Sequence, residues 1–249
     1  MNKSFAHTNN FNPISLNEMD GVKLMNRSDT KFTFSSEKLP SLFENLIPFY
    51  NVLEIDGKRI HSYRSLYFDT NDRKFYNDHH NRRVNRHKIR FREYEDSGLV
   101  FLEVKCKNNK GKTIKKRLKV DKIPTKLSND HKSYVEKIMG YSLSVLPKQW
   151  INFRRITLVH KILKERLTID VNLNFSENEV NGDLSKIAIA EVKQERMSRT
   201  SDFIRIAKEM KIYPMRLSKY CFTTMQLDDS IKRNRFKEKQ IFINKIIKK

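Results

Sequence analysis

The sequence has few cysteines, few glycines, few prolines and no long apolar run. Of 249 residues, 2 are Cys, 6 are Gly and 6 are Pro. Cys106 and Cys221 provide neither a disulfide framework nor a zinc-binding pattern, which favours a reducing, cytosolic setting. No segment approaches the ~18 apolar residues of a membrane-spanning helix. The first residues, MNKSFAHTNNFNP, lack the apolar segment of a secretory signal, so we expect a cytoplasmic location.

Acidic residues are scarce relative to basic ones. The chain has 51 Lys and Arg against 29 Asp and Glu, a formal net charge of +22. Such a charge predicts a polyanionic partner: nucleic acid, anionic lipid or a phosphate-rich small molecule. We expect no sequence-specific nucleic acid partner. The sequence carries no signature of a known nucleic-acid-binding module, and its aromatic residues do not alternate with the basic ones as a base-stacking surface requires.

The hydrophobic pattern predicts one α+β domain with about eight strands, mostly antiparallel, and several short helices. The predicted strands lie within 24–34, 61–68, 87–94, 99–107, 112–120, 150–160, 165–175 and 186–194. Helices are expected near 15–20, 35–46, 72–81, 129–139 and 201–211. We assign residues 1–228 to the domain and residues 229–249 to a basic helical tail.

Charged residues repeat at every second position in most of the predicted strands. Residues two apart share a face of a strand, so Lys88, Arg90 and Arg92 lie opposite Ile89 and Phe91. The other sets that share a face are Arg27, Asp29 and Lys31; Glu103 and Lys105; Lys115 and Arg117; Phe153, Arg155 and Thr157; Arg166, Thr168 and Asp170; and Glu191 and Lys193.

This alternation has two interpretations. The charges can lie on the solvated outside of an ordinary barrel, with the apolar faces inside. Alternatively, they face a wet interior and amphipathic helices cover the apolar faces outside. About eight strands can enclose one small ligand. An interior so rich in cations would suit a phosphate chain with a divalent cation, but the pattern alone leaves both interpretations open.

A family resemblance is carried by fragments that occur in a fixed order. They are LMNRSDTKF (24–32), YFDT (67–70), FYNDHHNRR (75–83), NRHKIRFREY (85–94), FLEVKCKNNKGKTIKKR (101–117), RRITLV (154–159), RLTIDVNLNF (166–175), IAEVKQE (189–195) and LSKYC (217–221). Over roughly residues 15–240 the sequence resembles the VTC domain, the polyphosphate polymerase branch of the CYTH-like triphosphate tunnel metalloenzymes.

The resemblance implies an eight-stranded antiparallel β tunnel with helices packed outside. It also implies an enzyme that transfers the γ-phosphate of ATP to a growing inorganic polyphosphate chain with Mn²⁺ or Mg²⁺. The implied catalytic residues are Lys31, Arg90, Arg92, Arg155 and Arg166. The implied phosphate-binding residues are Lys105, Lys115, Ser218 and Lys219, to which we add Arg117 and Lys193 because each shares a strand face with another charged residue of the set. Glu191 is the expected metal ligand, and Glu103 is a second candidate.

Two positions depart from related patterns. Phe153 stands where the family often has Tyr, unless Arg154 rather than Arg155 is the matching arginine. CYTH enzymes open with Glu-x-Glu-x-Lys, whereas this chain has Arg27-x-Asp29-x-Lys31, which favours a polymerase over a simple triphosphatase. Asp29 would pair with Arg27 or contact a second metal ion.

Two other functions and one further partner stay open. The alternative functions are a metal-dependent tunnel triphosphatase and a non-catalytic module that binds polyphosphate or a nucleotide. The tail at 229–249 is interpreted as a docking helix, as a helix that holds the polyphosphate product, or as a contact to a membrane protein or an anionic surface. Ile243, Ile246 and Ile247 would form the apolar face of that helix.

Overall fold

The computed structural model describes residues 3–19, 28–109, 113–195 and 200–248. The strands in these ranges are β1 (Asn12–Ile14), β2 (Ser28–Ser35), β3 (Tyr50–Leu53), β4 (Ile60–Asp69), β5 (Arg86–Tyr94), β6 (Leu99–Lys107), β7 (Thr113–Val120), β8 (Leu146–His160), β9 (Glu165–Glu177), β10 (Val180–Asp183) and β11 (Ile187–Gln194). The α-helices are α1 (Leu16–Met19), α2 (Leu39–Leu46), α3 (Lys74–His80), α4 (Asn129–Met139), α5 (Asp202–Glu209), α6 (Lys219–Leu227) and α7 (Lys237–Ile247).

Eight strands follow one another through a single sheet in the order β2-β11-β9-β8-β4-β5-β6-β7. Every neighbouring pair along this path is antiparallel. Strands β1, β3 and β10 lie beside the path, where β3 pairs with β8 and β10 pairs with β9. Within the described ranges no ladder joins β2 to β7, so the sheet is not closed by backbone hydrogen bonds.

One face of the sheet is apolar and covered by helices. Near β5 and β6, the alternate residues Ile89, Phe91, Leu102 and Val104 are fully buried. They form one core with Val135 and Met139 of α4. At the other end of the path, residues of β2, β9 and β11 pack against α2 and α5; this core includes Leu42, Phe43, Leu167, Ile169, Ala190, Val192, Ile206 and Ala207. The period of two therefore directs the intervening charged residues to the opposite face.

A third core lies around α6 and α7. Tyr220, Phe222 and Met225 of α6 are buried among residues of β8, β9 and β11. Ile243 of α7 is fully buried in the same core, and Lys186 Nζ donates to the carbonyl of Ile247 at 2.8 Å. The tail helix thus packs onto the domain.

The predicted fold class is confirmed: the chain has an eight-stranded antiparallel path, with α2, α4 and α5 packed on its apolar face and α6 meeting the charged face through Lys219. Strands β1, β3 and β10 and helix α6 were not predicted. Residues 24–27 of the first predicted strand, including Arg27, lie outside the described residues. No helix in the described part of the chain has both the length and the apolar character that crossing a membrane requires.

Candidate functional site

The charged face of the sheet is organised around three carboxylates, two buried and one half-buried, each bracketed by two cations. The first is Asp170 of β9. Arg155 of β8 holds it in a two-pronged pair, with Nε at 2.6 Å from Oδ1 and Nη2 at 2.8 Å from Oδ2. Lys219 Nζ at the start of α6 donates to Oδ2. Burial alone would raise the pKa of Asp170, but the charges of Arg155 and Lys219 outweigh it and hold the pKa well below its usual range.

Glu103 of β6 is the second carboxylate, and it is fully buried. Arg90 of β5 donates to its Oε2 from Nε at 2.7 Å, and Lys115 of β7 pairs with Oε1. Arg90 also donates to the hydroxyl of Tyr67 at 2.7 Å, which fixes the guanidinium on both sides. The charges of Arg90, Arg92 and Lys115 overcome burial and lower the pKa of Glu103.

Glu191 of β11 is the third carboxylate, and it is more accessible. Its Oε1 lies 2.7 Å from Lys31 Nζ and its Oε2 lies 3.4 Å from Lys193 Nζ. Burial opposes ionisation, but Lys193 and Lys31 still hold the pKa of Glu191 below its usual range. Lys193 pairs across the ladder with Arg166, and burial lowers the pKa of Lys193 to about 8.

Two further cations on this face form no ion pair with any carboxylate in the described ranges. Arg92 is 7 % exposed and donates to the Ser65 hydroxyl at 3.3 Å. Burial and the neighbouring Arg90 lower the pKa of Arg92. The charge of Arg90, followed by burial, lowers the pKa of Lys105 well below its ordinary value. These unmatched charges make the empty face electrostatically unfavourable, and an anion would relieve that cost.

An aromatic pair supports the cations in the middle of the face. The rings of Tyr63 and Phe153 stack with centroids 5.2 Å apart and planes 3° apart. The Phe153 centroid lies 4.5 Å from Lys219 Nζ, and 5.5 and 5.3 Å from the guanidinium carbons of Arg92 and Arg155. Cation–π contacts of this kind hold charged groups in place without neutralising them.

Helix α6 brings Ser218 and Lys219 to the site. Ser218 is its N-cap, and the hydroxyl accepts from the backbone N–H of Cys221 at 3.3 Å and from Lys88 Nζ at 2.6 Å. Tyr220, which follows Lys219, donates a hydrogen bond from its hydroxyl to buried Asp69. Asp69 also accepts backbone hydrogen bonds at the start of α3, so α3, α6 and β4 are fixed to one another.

The structure brings together most of the residues predicted for the site. Arg155 lies on the charged face whereas Arg154 is exposed, so Arg155 is the residue that meets Asp170 and Lys219.

Arg117 lies at the edge, exposed on β7, with its guanidinium carbon 4.8 Å from the Phe101 centroid. Three residues of the site had no predicted role: Asp170, Tyr67 and Lys88. Asp170 and Lys88 alternate with other residues of the charged faces of their strands, whereas Tyr67 shows no such pattern.

The donor set permits a divalent cation held by one carboxylate. In the described ranges, no three His, Cys, Asp or Glu side chains come together. Mg²⁺ needs no such group where one carboxylate, substrate phosphates and waters supply its oxygens. Glu191 fits this mode: its side chain is 17 % exposed and ionised, and the buried Oγ1 of Thr168, its ladder partner, has no hydrogen-bond partner among the described residues. Glu103 fits less well because its side chain is 0 % exposed.

Comparison with solved structures finds several chains of related shape. A candidate adenylate cyclase from Bacillus halodurans is 15 % identical with a TM-score of 0.47, covering 78 % of this chain and 96 % of its own. HpAC1 from Hippeastrum, an adenylyl cyclase candidate with a dominant triphosphatase activity, is 17 % identical with a TM-score of 0.49, covering 82 % and 97 %.

Sequence comparison is more decisive. Curated protein sequences give no significant match. The family model of the VTC domain matches residues 26–227, a range that contains all three carboxylates and the cations that bracket them. This chain therefore belongs to the VTC domain family.

Proposed function

We propose that the protein is a metal-dependent polyphosphate polymerase that transfers the γ-phosphate of ATP to the end of an inorganic polyphosphate chain. The observation that carries the proposal is the excess of cations on the charged face, above all buried Arg92 and half-buried Lys105, which have no ion-pair partner among the described residues. A flexible, highly charged phosphate chain supplies anionic oxygens at many points along this face. Membership of the VTC domain family supports the same conclusion.

The reaction breaks the bond between the γ-phosphorus and the β–γ bridging oxygen, and forms a bond from a terminal oxygen of the chain to that phosphorus. ADP leaves with the electron pair of the broken bond. The terminal oxygen is already anionic, so the protein need not remove a proton from it. Its task is to align the two phosphates and stabilise their charge. Arg90 and Arg155 are each fixed by a carboxylate and offer their remaining N–H groups, while Lys31 and Lys193 act as point charges.

The three carboxylates favour transfer to a phosphate chain over transfer to water. Hydrolysis benefits from a general base whose pKa lies near the working pH. Asp170, Glu103 and Glu191 all have pKa values below their usual range, which makes them weak bases. The pKa of Lys105 is lowered by neighbouring cations, so a bound polyanion would raise it again and make Lys105 a phosphate ligand.

Glu191 would hold Mn²⁺ or Mg²⁺, with Thr168 beside it. When bound, such an ion would neutralise charge on phosphate oxygens. Glu191 would exchange its contact with Lys31 for the ion, which frees that ammonium group to meet a phosphate oxygen.

The test is incubation with γ-labelled ATP and Mn²⁺, with products separated by length on a gel. Wild-type protein should give a ladder of lengthening phosphate chains. Arg92→Gln should lower the rate about 100-fold by removing one preorganised donor. Because Arg92 has no carboxylate partner among the described residues, we expect its removal to change the free energy of unfolding by less than about 1 kcal/mol.

Arg154→Gln is the matched control. It removes the same charge from an exposed arginine of β8, and should leave the ladder unchanged. Free phosphate without a ladder would establish the triphosphatase instead. Tight binding of polyphosphate with no turnover would establish the binding module.

A further inference from the structure

Beyond the three carboxylates, the charged face continues toward the start of β5 and the end of β6. In the antiparallel register, Arg90 lies opposite Glu103, Lys88 opposite Lys105, and Arg86 opposite Lys107. Successive pairs are two residues apart, about 7 Å along the strand. The first pair is neutralised, whereas the next two place like charges directly across from each other, which destabilises a sheet.

Two helices add basic side chains at the same end: a lysine from α7, which is charged, and a histidine from α3, which burial keeps neutral. His79 of α3 and Lys239 of α7 lie beside the ring of Phe236, with the His79 ring centroid at 6.2 Å and Lys239 Nζ at 5.8 Å. Arg86, Lys107, His79 and Lys239 are called here the outer basic cluster. Within the described ranges no carboxylate forms an ion pair with any of them, and the buried Nδ1 of His79 has no hydrogen-bond partner. Glu238 is the sequence neighbour of Lys239.

The cluster members act on one another electrostatically. Burial, together with the charges of Lys88, Arg86, Lys239 and Lys107, lowers the pKa of His79 to about 2. These four cations come from β5, β6 and α7, and all of them act on a single side chain of α3. The site therefore concentrates positive charge from three elements, and Glu238 is the carboxylate that acts on its Lys239.

We propose that the outer basic cluster is a second phosphate-binding site. It holds the polyphosphate chain where the chain leaves the catalytic face, between α3, α7 and the end of the β5–β6 pair that carries Arg86 and Lys107. The inference rests on the proposed function for the direction of the chain, but its binding step does not require turnover. Lys88 links the two sites: it stands between Arg90 and Arg86 on β5, and its ammonium group is held by the Ser218 hydroxyl. A chain that spans both sites must be longer than a triphosphate.

The experiment compares binding of long-chain polyphosphate and of tripolyphosphate to the full chain. In Arg86→Gln/Lys107→Gln, affinity for the long chain should fall about fivefold at low salt, since each exposed or half-buried charge contributes modestly. Affinity for tripolyphosphate should change less than twofold. In the labelled-ATP assay, the same variant should release shorter products because it retains the growing chain less well.

A matched double variant controls for net charge. Lys132→Gln/Lys208→Gln removes two exposed lysines from α4 and α5, the helices that cover the apolar face, and should bind both ligands as the wild type does. Equal loss of long-chain binding in both variants would overturn the proposal. Equally strong, cluster-dependent binding of a single-stranded oligonucleotide would also overturn it, because the cluster would then be a nucleic-acid surface.

The two proposals can fail separately. A wild-type protein that makes no polymer, yet loses long-chain binding only in the cluster variant, would refute the polymerase and retain the second site. A wild-type protein that makes polymer, with binding and product length unaffected by the cluster variant, would refute the second site and retain the polymerase.

Discussion

Asp170 and Glu191 are both carboxylates that face two cations, yet their surroundings differ. Asp170 meets a forked arginine and a lysine, and its side chain is 5 % exposed. Glu191 meets two lysines at 2.7 and 3.4 Å, and its side chain is 17 % exposed. A forked pair has a fixed geometry, whereas two ammonium groups are mobile point charges that can be exchanged.

The difference favours a structural role for Asp170, whereas Glu191 is the proposed metal ligand. Asp170 joins β8, β9 and α6 through Arg155 and Lys219, so the position of Lys219 depends on it. Glu191 joins only neighbouring strands that the sheet already holds together. Loss of Asp170 would therefore disturb the order of the site, whereas Glu191 can exchange a lysine contact for the ligand proposed above.

Replacement of Asp170 should have the largest effect. Asp170→Asn leaves Arg155 and Lys219 buried beside each other with no anion, and should lower the free energy of unfolding by about 3 kcal/mol. Urea denaturation measures the loss. Added tripolyphosphate should restore part of the stability by supplying the missing negative charge. A stability equal to that of the wild type would show that Asp170 is not a structural carboxylate.

Glu191→Gln tests the other carboxylate of the comparison, and should affect ligand binding more than stability. The variant should lose about 1 kcal/mol of stability or less, since Lys31 can turn toward water and Lys193, whose pKa burial already lowers, can give up its proton. Its affinity for tripolyphosphate should no longer rise when Mn²⁺ is added, whereas in the wild type Mn²⁺ should strengthen binding about tenfold or more. Isothermal titration with and without Mn²⁺ measures this. Undiminished Mn²⁺ enhancement in Glu191→Gln would move the metal ligand elsewhere.

The strands were predictable because the alternation of apolar and charged residues within each strand shows that its two faces have different surroundings. Ile89 and Phe91 alternate with Arg90 and Arg92, and this period of two is visible without any partner strand. The direction of the charged face was not decidable from one strand, since a solvated outside gives the same pattern. Helices α2, α4 and α5 decide it, because their apolar sides cover the other face.

Helix α6 and the role of Asp170 were not predictable in the same way. Lys219–Leu227 is buried on several sides, so it lacks the apolar stripe that marks a surface helix. Asp170 acquires its role from Lys219, which is 49 residues away in the sequence. A single sequence shows which residues alternate, but not which distant residues meet.

Binding of tripolyphosphate should depend on pH through Lys193, which lies beside Glu191. Burial lowers the pKa of Lys193 to about 8, so this ammonium group loses its proton as pH rises through 8. Affinity for tripolyphosphate should therefore fall about tenfold between pH 7 and pH 9. Lys193→Arg should lose this step, because a guanidinium stays charged. A residual slope belongs to Lys105, whose pKa is also lowered, and should disappear in Lys105→Arg.

Stability should respond to Lys193 with the opposite sign. A lysine whose pKa is lower in the folded chain binds fewer protons there than in the unfolded chain between about pH 8 and 10.5. The contribution of Lys193 to the free energy of unfolding therefore increases as pH rises across this range. Lys193→Met should flatten that increase. An unchanged pH profile in Lys193→Met would place the titration in another group.

Substitution of Phe153 should cause the smallest change in affinity. Its ring lies beside Arg155 and Lys219, the two cations that pair with Asp170. Its ring stacks on Tyr63 and lies 4.5 Å from Lys219 Nζ, so Phe153→Tyr can keep the stack and add only a hydroxyl. One hydrogen bond to a phosphate oxygen on a wet face contributes about 1 kcal/mol, or about fivefold in affinity for tripolyphosphate. Phe153→Leu removes the ring and should weaken binding instead. If the tyrosine variant binds tripolyphosphate no more tightly than the wild type, the ring serves only to hold Arg92, Arg155 and Lys219 in place. A hydroxyl at this position would then make no contact with a bound phosphate.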